Sequence, residues 1–125
     1  MGKILVIDDD AQVRTYLRHL LEREGHEVHT ADNGKTGTRA YRDTRPDLVV
    51  LDVIMPEQEG LETIRKLRAE APGLKIIAIS GGGQLVPETF LDVARRLGAA
   101  RTLTKPFGRG EFLGAVDELL AAAAV

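Results

Sequence analysis

The chain has 125 residues, 43% of them hydrophobic and 29% charged, a balance that suits one folded domain with its own core and excludes a disordered tail. Its net charge of −2 gives no general attraction for nucleic acid, and the lack of cysteine excludes disulfides, thiol catalysis and thiolate metal sites. No apolar run approaches the roughly 20 residues that cross a bilayer, and Met1-Gly2-Lys3 leads straight into a strand pattern with no room for a signal peptide. A single cytoplasmic domain over residues 1–125 is the expectation.

Lys3 to Ile7 reads as a buried strand that stops at Asp8-Asp9-Asp10. One of these carboxylates can accept hydrogen bonds from the first amides of the helix that follows, and Asp10 is assigned to that cap. Val13, Tyr16, Leu17, Leu20 and Leu21 recur at spacings of three and four, which predicts one apolar helix face. Gly25 ends the helix. His26 to Ala31 alternates as a short, more exposed strand would, and His19, His26 and His29 are read as surface residues. Asn33-Gly34 marks a turn, and a weak helix runs to about Asp43 before Pro46.

Leu48-Val49-Val50-Leu51 is an unbroken apolar run that ends on Asp52. Such a run predicts a strand covered on both faces, as in a parallel sheet between helical layers. Asp52 then stands at the carboxyl end of a central strand, where open α/β sheets bind their ligands. After Pro56 comes a helix with Leu61, Ile64, Leu67 and Arg68 in register, stopped by Ala71-Pro72-Gly73. Leu74 to Ile79 is a fourth strand that ends at Ser80 and opens into Gly81-Gly82-Gly83, a mobile loop rather than a phosphate cradle, because no Lys-Ser/Thr pair follows. Pro87 suits the first turn of the next helix, whose candidate core residues are Phe90, Leu91, Val93, Ala94 and Leu97; Gly98 ends it. Ala100 to Leu103 is a fifth strand, Thr104 to Phe107 a loop, and Phe112, Val116, Leu119 and Leu120 mark a last helix. Five β/α repeats imply a parallel sheet with right-handed crossovers.

That topology sends Asp8, Asp9, Asp52, Ser80 and Lys105 to one edge of the sheet. Three carboxylates brought together repel unless a cation joins them, and an all-oxygen set suits Mg2+ rather than zinc. A carboxylate beside Mg2+ and a lysine can attack a phosphoryl group, since both cations spread the developing charge.

Asp8-Asp9, Asp52 with Met55-Pro56, Ser80-Gly81 and Lys105-Pro106-Phe107 together resemble the full signature of a response-regulator receiver domain of the chemotaxis-regulator type, over Lys3 to about Leu120. The resemblance implies a flavodoxin-like (βα)5 three-layer sandwich with strand order 2-1-3-4-5. It implies that Asp52 accepts a phosphoryl group from a sensor histidine kinase or a histidine phosphotransfer protein. Asp8, Asp9, Asp52 and the backbone carbonyl of Ile54 would hold Mg2+; Ser80 and Lys105 would bind the phosphoryl oxygens; the Lys105–Pro106 bond would be cis. On this resemblance the chain is not an enzyme beyond its own phosphotransfer and dephosphorylation. Arg14, Arg18 and Arg23 are read as a solvated face of the first helix, the helix on which the resemblance implies that kinases and phosphotransfer proteins dock. Output is expected through the fourth helix, fifth strand and last helix, to a protein target or a second copy, with no direct contact to nucleic acid or membrane.

Two positions depart from the family pattern. Thr102 stands where many receivers have an aromatic residue that turns inward on phosphorylation. Ile54 stands where many are polar, and an isoleucine cannot orient an attacking water, so slow loss of the phosphoryl group is expected. Two other functions compete. One is a phosphate-independent receiver used as a protein-binding module. The other is a haloacid-dehalogenase-type phosphohydrolase with Asp8 as nucleophile and Asp10 as second acid, which would usually carry Thr or Val where this chain has Gln12.

Overall fold

The protein, seen in a computed structural model, is described over residues 2–53, 59–80 and 87–123, without the side chains of 59, 87–91, 122 and 123. Strands and helices alternate: β1 (Lys3–Ile7), α1 (Ala11–Arg23), β2 (Glu27–Ala31), α2 (Gly34–Thr44), β3 (Leu48–Asp52), α3 (Glu59–Glu70), β4 (Lys75–Ser80), α4 (Pro87–Leu97), β5 (Arg101–Thr104) and α5 (Arg109–Ala123). The strands form one sheet in the order β2-β1-β3-β4-β5, and every neighbouring pair is parallel. This is the flavodoxin-like, three-layer arrangement that the resemblance to receiver domains implied. Compared with the sequence pattern, the last strand starts one residue later and takes in Thr104.

The period of two along each strand divides the core between the faces. Leu5, Ile7, Val49, Leu51, Ile76 and Ala78 pack under α2, α3 and α4 against Tyr41, Ile64, Leu67 and Ala94. Ile4, Val6, Val50, Ile77 and Ile79 pack under α1 and α5 against Leu17, Leu21, Phe112 and Val116. Covered on both sides, β3 is buried at all its positions, which is why its sequence is continuously apolar up to Asp52.

The turns on the Asp52 side are fixed locally. Asp10 caps α1, its Oδ1 accepting from the amides of Gln12 (2.9 Å) and Val13 (3.4 Å). Asn33 and Thr36 form a reciprocal capping box on α2. At the other ends of their helices, Gly25 and Gly98 adopt φ of 90° and 121°, conformations that side chains with a Cβ rarely take.

Three expectations fail. Tyr16 is half exposed and Val93 is exposed, not core. Tyr16 falls at the margin of the arc that Leu17, Leu20 and Leu21 fill, and its hydroxyl favours the surface. In α4 the fully buried position is the adjacent Ala94. His26 is buried rather than superficial. It precedes β2 in a turn that folds over the start of β1, and its Nδ1 accepts from the Gly2 amide at 2.9 Å. Phe90 and Leu91 have side chains outside the described set, and the glycine-rich loop lies outside the described residues. No helix among the described residues is long and apolar enough to cross a membrane.

Candidate functional site

β1, β3 and β4 end side by side, and each ends in a polar group. Asp8 follows β1, Asp52 closes β3 and Ser80 closes β4. The ladders continue past the strands to hold these ends: the Asp8 amide donates to the Ala31 carbonyl (3.1 Å), that of Val53 to Ile79 (2.9 Å), and that of Lys105 to Ser80 (2.8 Å). The last bond seats Lys105 over the end of β4. The Lys105–Pro106 peptide is cis, as the family resemblance implied.

Asp8, Asp9 and Asp52 converge so closely that one oxygen from each lies within 4.8 Å of the others. Asp8 and Asp52 are buried and Asp9 is exposed. Lys105 bridges the buried pair, its Nζ 3.3 Å from Asp8 Oδ2 and 3.5 Å from Asp52 Oδ2. Burial raises the Asp8 carboxyl above its ordinary value of 3.8; the Asp10 amide and the Lys105 ammonium pull it back down, and Asp9 adds to the rise. The Asp10 amide is 2.8 Å from Asp8 Oδ1. Three acids against one lysine leave an excess of negative charge in a partly water-excluded spot. Three carboxylates without sulfur or nitrogen form a donor set that fits a hard divalent cation.

Ser80 adds a second unmet demand. Its Oγ is buried and finds no hydrogen-bond partner among the described residues. A buried hydroxyl left so costs about 1–3 kcal/mol, and an incoming oxygen atom would remove that cost.

The structure thus gathers Asp8, Asp9, Asp52, Ser80 and Lys105 at one edge, as their positions at strand ends implied. Ile54, Met55-Pro56 and Gly81 lie outside the described residues. Asp10 is apart from the cluster as a cap. Thr102 is not turned inward to a ring's place; its Oγ1 meets the Arg95 guanidinium of α4 at 3.2 Å.

Two supporting residues escape sequence reasoning. Arg14, read as part of a solvated face, donates from Nη1 to the Asp8 carbonyl at 2.7 Å and so ties α1 to the turn that presents Asp8 and Asp9. A Cβ on Gly60 would lie 2.4 Å from Val53 Cα and 2.5 Å from the Asp52 carbonyl oxygen. Only a glycine lets α3 start against the backbone that leaves Asp52. A glycine inside a helical pattern eight residues beyond Asp52 is the one trace of this in the sequence.

A family model described as the response regulator receiver domain matches residues 4–117. The chain belongs to that family. Receiver relatives resemble it over nearly its whole length. The chemotaxis protein CheY of Thermotoga maritima is 32% identical over 121 residues, covering 95% of this chain and 98% of its own. The DNA-binding transcriptional regulator NtrC of Azospirillum brasilense is 40% identical over 117 residues, covering 94% of this chain but 24% of its own length; the chain therefore spans about a quarter of that relative. Among solved structures, a CheY-like receiver domain protein from Methanospirillum hungatei superposes with a TM-score of 0.89 at 27% identity, over 99% of this chain and 97% of that one. The receiver fold and the receiver family thus agree.

Proposed function

We propose that this receiver domain is a phosphorylation-dependent switch of a two-component system in which Asp52 accepts the phosphoryl group. The observation that carries the reading is the Lys105 ammonium set between two buried carboxylates at 3.3 and 3.5 Å. Asp52 then offers an oxygen nucleophile beside a fixed positive charge. The donor is the phosphohistidine of a sensor kinase or a phosphotransfer protein. An O–P bond forms at Asp52 while the N–P bond breaks, and the imidazole leaves with the electron pair and takes up a proton. Lys105 faces charge that develops on the phosphoryl oxygens. Ser80 Oγ, buried and unpartnered among the described residues, donates to one of those oxygens.

Asp8, Asp9 and Asp52, with the Ile54 backbone carbonyl, are the groups that would hold Mg2+. When bound, Mg2+ supplies neutralisation of carboxylate and phosphoryl charge. The chain's own residues do the positioning: Arg14 and the Asp10 amide orient Asp8, and Gly60 admits α3 behind Asp52. The domain acts on no separate substrate; it catalyses only its own phosphorylation and dephosphorylation. Its message leaves through α4, β5 and α5, to a protein target or to a second copy, and the Arg95–Thr102 contact between α4 and β5 takes the place of the aromatic switch.

Intact mass after incubation with acetyl phosphate tests this. Wild type is expected to gain one phosphoryl group only when Mg2+ is present, and Asp52→Ala none. No gain in wild type, or an equal gain in the variant, overturns Asp52 as acceptor and favours a phosphate-independent binding module.

A further inference from the structure

A cleft of about 460 Å3 lies between α2 and α3. Four of its lining side chains are cationic, Lys35, Arg39 and Arg42 on α2 and Lys66 on α3, against one acid, Glu62. That acid is engaged by Arg65, 3.6 Å away. Arg42 is engaged by Glu70 at 2.7 Å. Among the described residues, no ion pair neutralises Arg39 or Lys66. The cleft therefore keeps uncompensated positive charge on both walls, in a chain whose net charge is −2.

Thr38 is buried in the floor, its hydroxyl donating to the Gly34 carbonyl at 2.8 Å. A planar guanidinium fork opposed by a mobile ammonium suits a phosphate, which accepts from both at once. Size separates the classes of occupant. Small-molecule sites occupy about 300–1,000 Å3, which includes this cleft, whereas a stable protein partner needs about 800 Å2 of surface on each side.

We propose that the cleft between α2 and α3 binds a small phosphate-bearing anion, held between the Arg39 guanidinium and the Lys66 ammonium. The site is separate from Asp52 and does not rest on phosphorylation there.

Heteronuclear NMR titration with sodium pyrophosphate, without divalent cations and at low salt, tests it on wild type and on the double variant Arg39→Gln with Lys66→Gln. Wild type is expected to show saturable amide shifts along Gly34–Arg42 and Glu62–Lys66, with affinity that falls as salt is added. The double variant is expected to bind about tenfold more weakly or worse, since both charge-assisted contacts are gone. Both side chains are exposed, so unchanged β-strand amides will show that the fold persists. Shifts centred on Ser80 and Lys105 with α2 and α3 silent, equal affinity in the double variant, or shifts that never saturate would each overturn the proposal. So would a hexaglutamate peptide that binds the same residues more tightly than pyrophosphate, because the ligand would then be a protein carboxylate.

Discussion

The acidic end of the sheet and the basic cleft between α2 and α3 each gather charges of one sign, but they are built in opposite ways. At the sheet end the charges sit on strand termini, with the side chains of Asp8 and Asp52 only 2% and 7% exposed. In the cleft they ride on helix surfaces, and Arg42 keeps 60% of its side chain in solvent. Water and salt soften the second set and barely reach the first. Similar numbers of charges should therefore have very different consequences for folding. The carboxylates are crowded where desolvation is costly, a strain that a cation among them would relieve. The cleft cations Lys35, Arg39, Arg42 and Lys66 all stand on exposed helix surfaces, so the fold does not depend on an anion there.

Removing a charge from each region tests that contrast, and the largest effect is expected at Lys105. Lys105→Met withdraws the cation that bridges Asp8 and Asp52. Breaking a buried ion pair costs about 3–5 kcal/mol. The Lys105 side chain is 24% exposed, so the expected loss is smaller, about 2 kcal/mol. Urea denaturation at neutral pH in the presence of a chelator measures it. An unchanged midpoint would mean that Lys105 is an ordinary surface charge and that the sheet end is no different from the cleft.

A second, smaller effect is a pH dependence that belongs to Asp8. Burial, the largest influence, raises its folded-state pKa above the ordinary 3.8. A raised carboxyl binds its proton more tightly in the folded state. Its contribution to stability is thus fully present below about pH 3.8 and is lost as pH rises through the folded value. The metal-free protein should lose stability over that window, and Asp8→Asn should flatten the loss. Chemical denaturation at a series of pH values compares the two. Identical slopes for wild type and Asp8→Asn would remove Asp8 from the account, and Lys105→Met should steepen the wild-type slope by taking away a group that lowers this pKa.

The two regions also differ in how far they could be read from the amino-acid order. Asp52 was legible because four apolar residues precede it, and a strand buried on both faces can end only at an edge. Asp8, Asp9, Ser80 and Lys105 were legible for the same reason, each at the end of a recognisable strand whose direction the β/α alternation fixes. The cleft was not. Arg39 and Lys66 belong to helices separated by a strand, and nothing in either helix's own period says that these two faces meet. The same holds for Arg14 and Gly60. The first reads as one more charge on a polar face until the turn folds back to bring the Asp8 carbonyl within reach, and the second depends on how closely α3 approaches the chain beyond Asp52. His26 and Tyr16 were misjudged because periodicity places a residue on a face but not at its margin, where a turn can cover the first and leave the second in water.

The smallest expected effect lies in the cleft itself. Arg42 and Glu70 make a short contact, 2.7 Å, and geometry alone would rank it above the 3.3 and 3.5 Å contacts of Lys105. Distance is the wrong guide here. Both partners of the Arg42 pair reach water, so much of the attraction is screened and two long side chains give up rotamer freedom to make it. Arg42→Gln should leave the urea midpoint unchanged near 0.15 M salt, with any loss emerging only as the salt is lowered. Lys105→Met, by contrast, should show nearly the same loss at both ionic strengths, because its partners are buried. If Arg42→Gln instead matched Lys105→Met in size and in indifference to salt, the cleft charges would be as strongly coupled as the buried ones, and its two cationic walls would have to be treated as part of what holds α2 against α3.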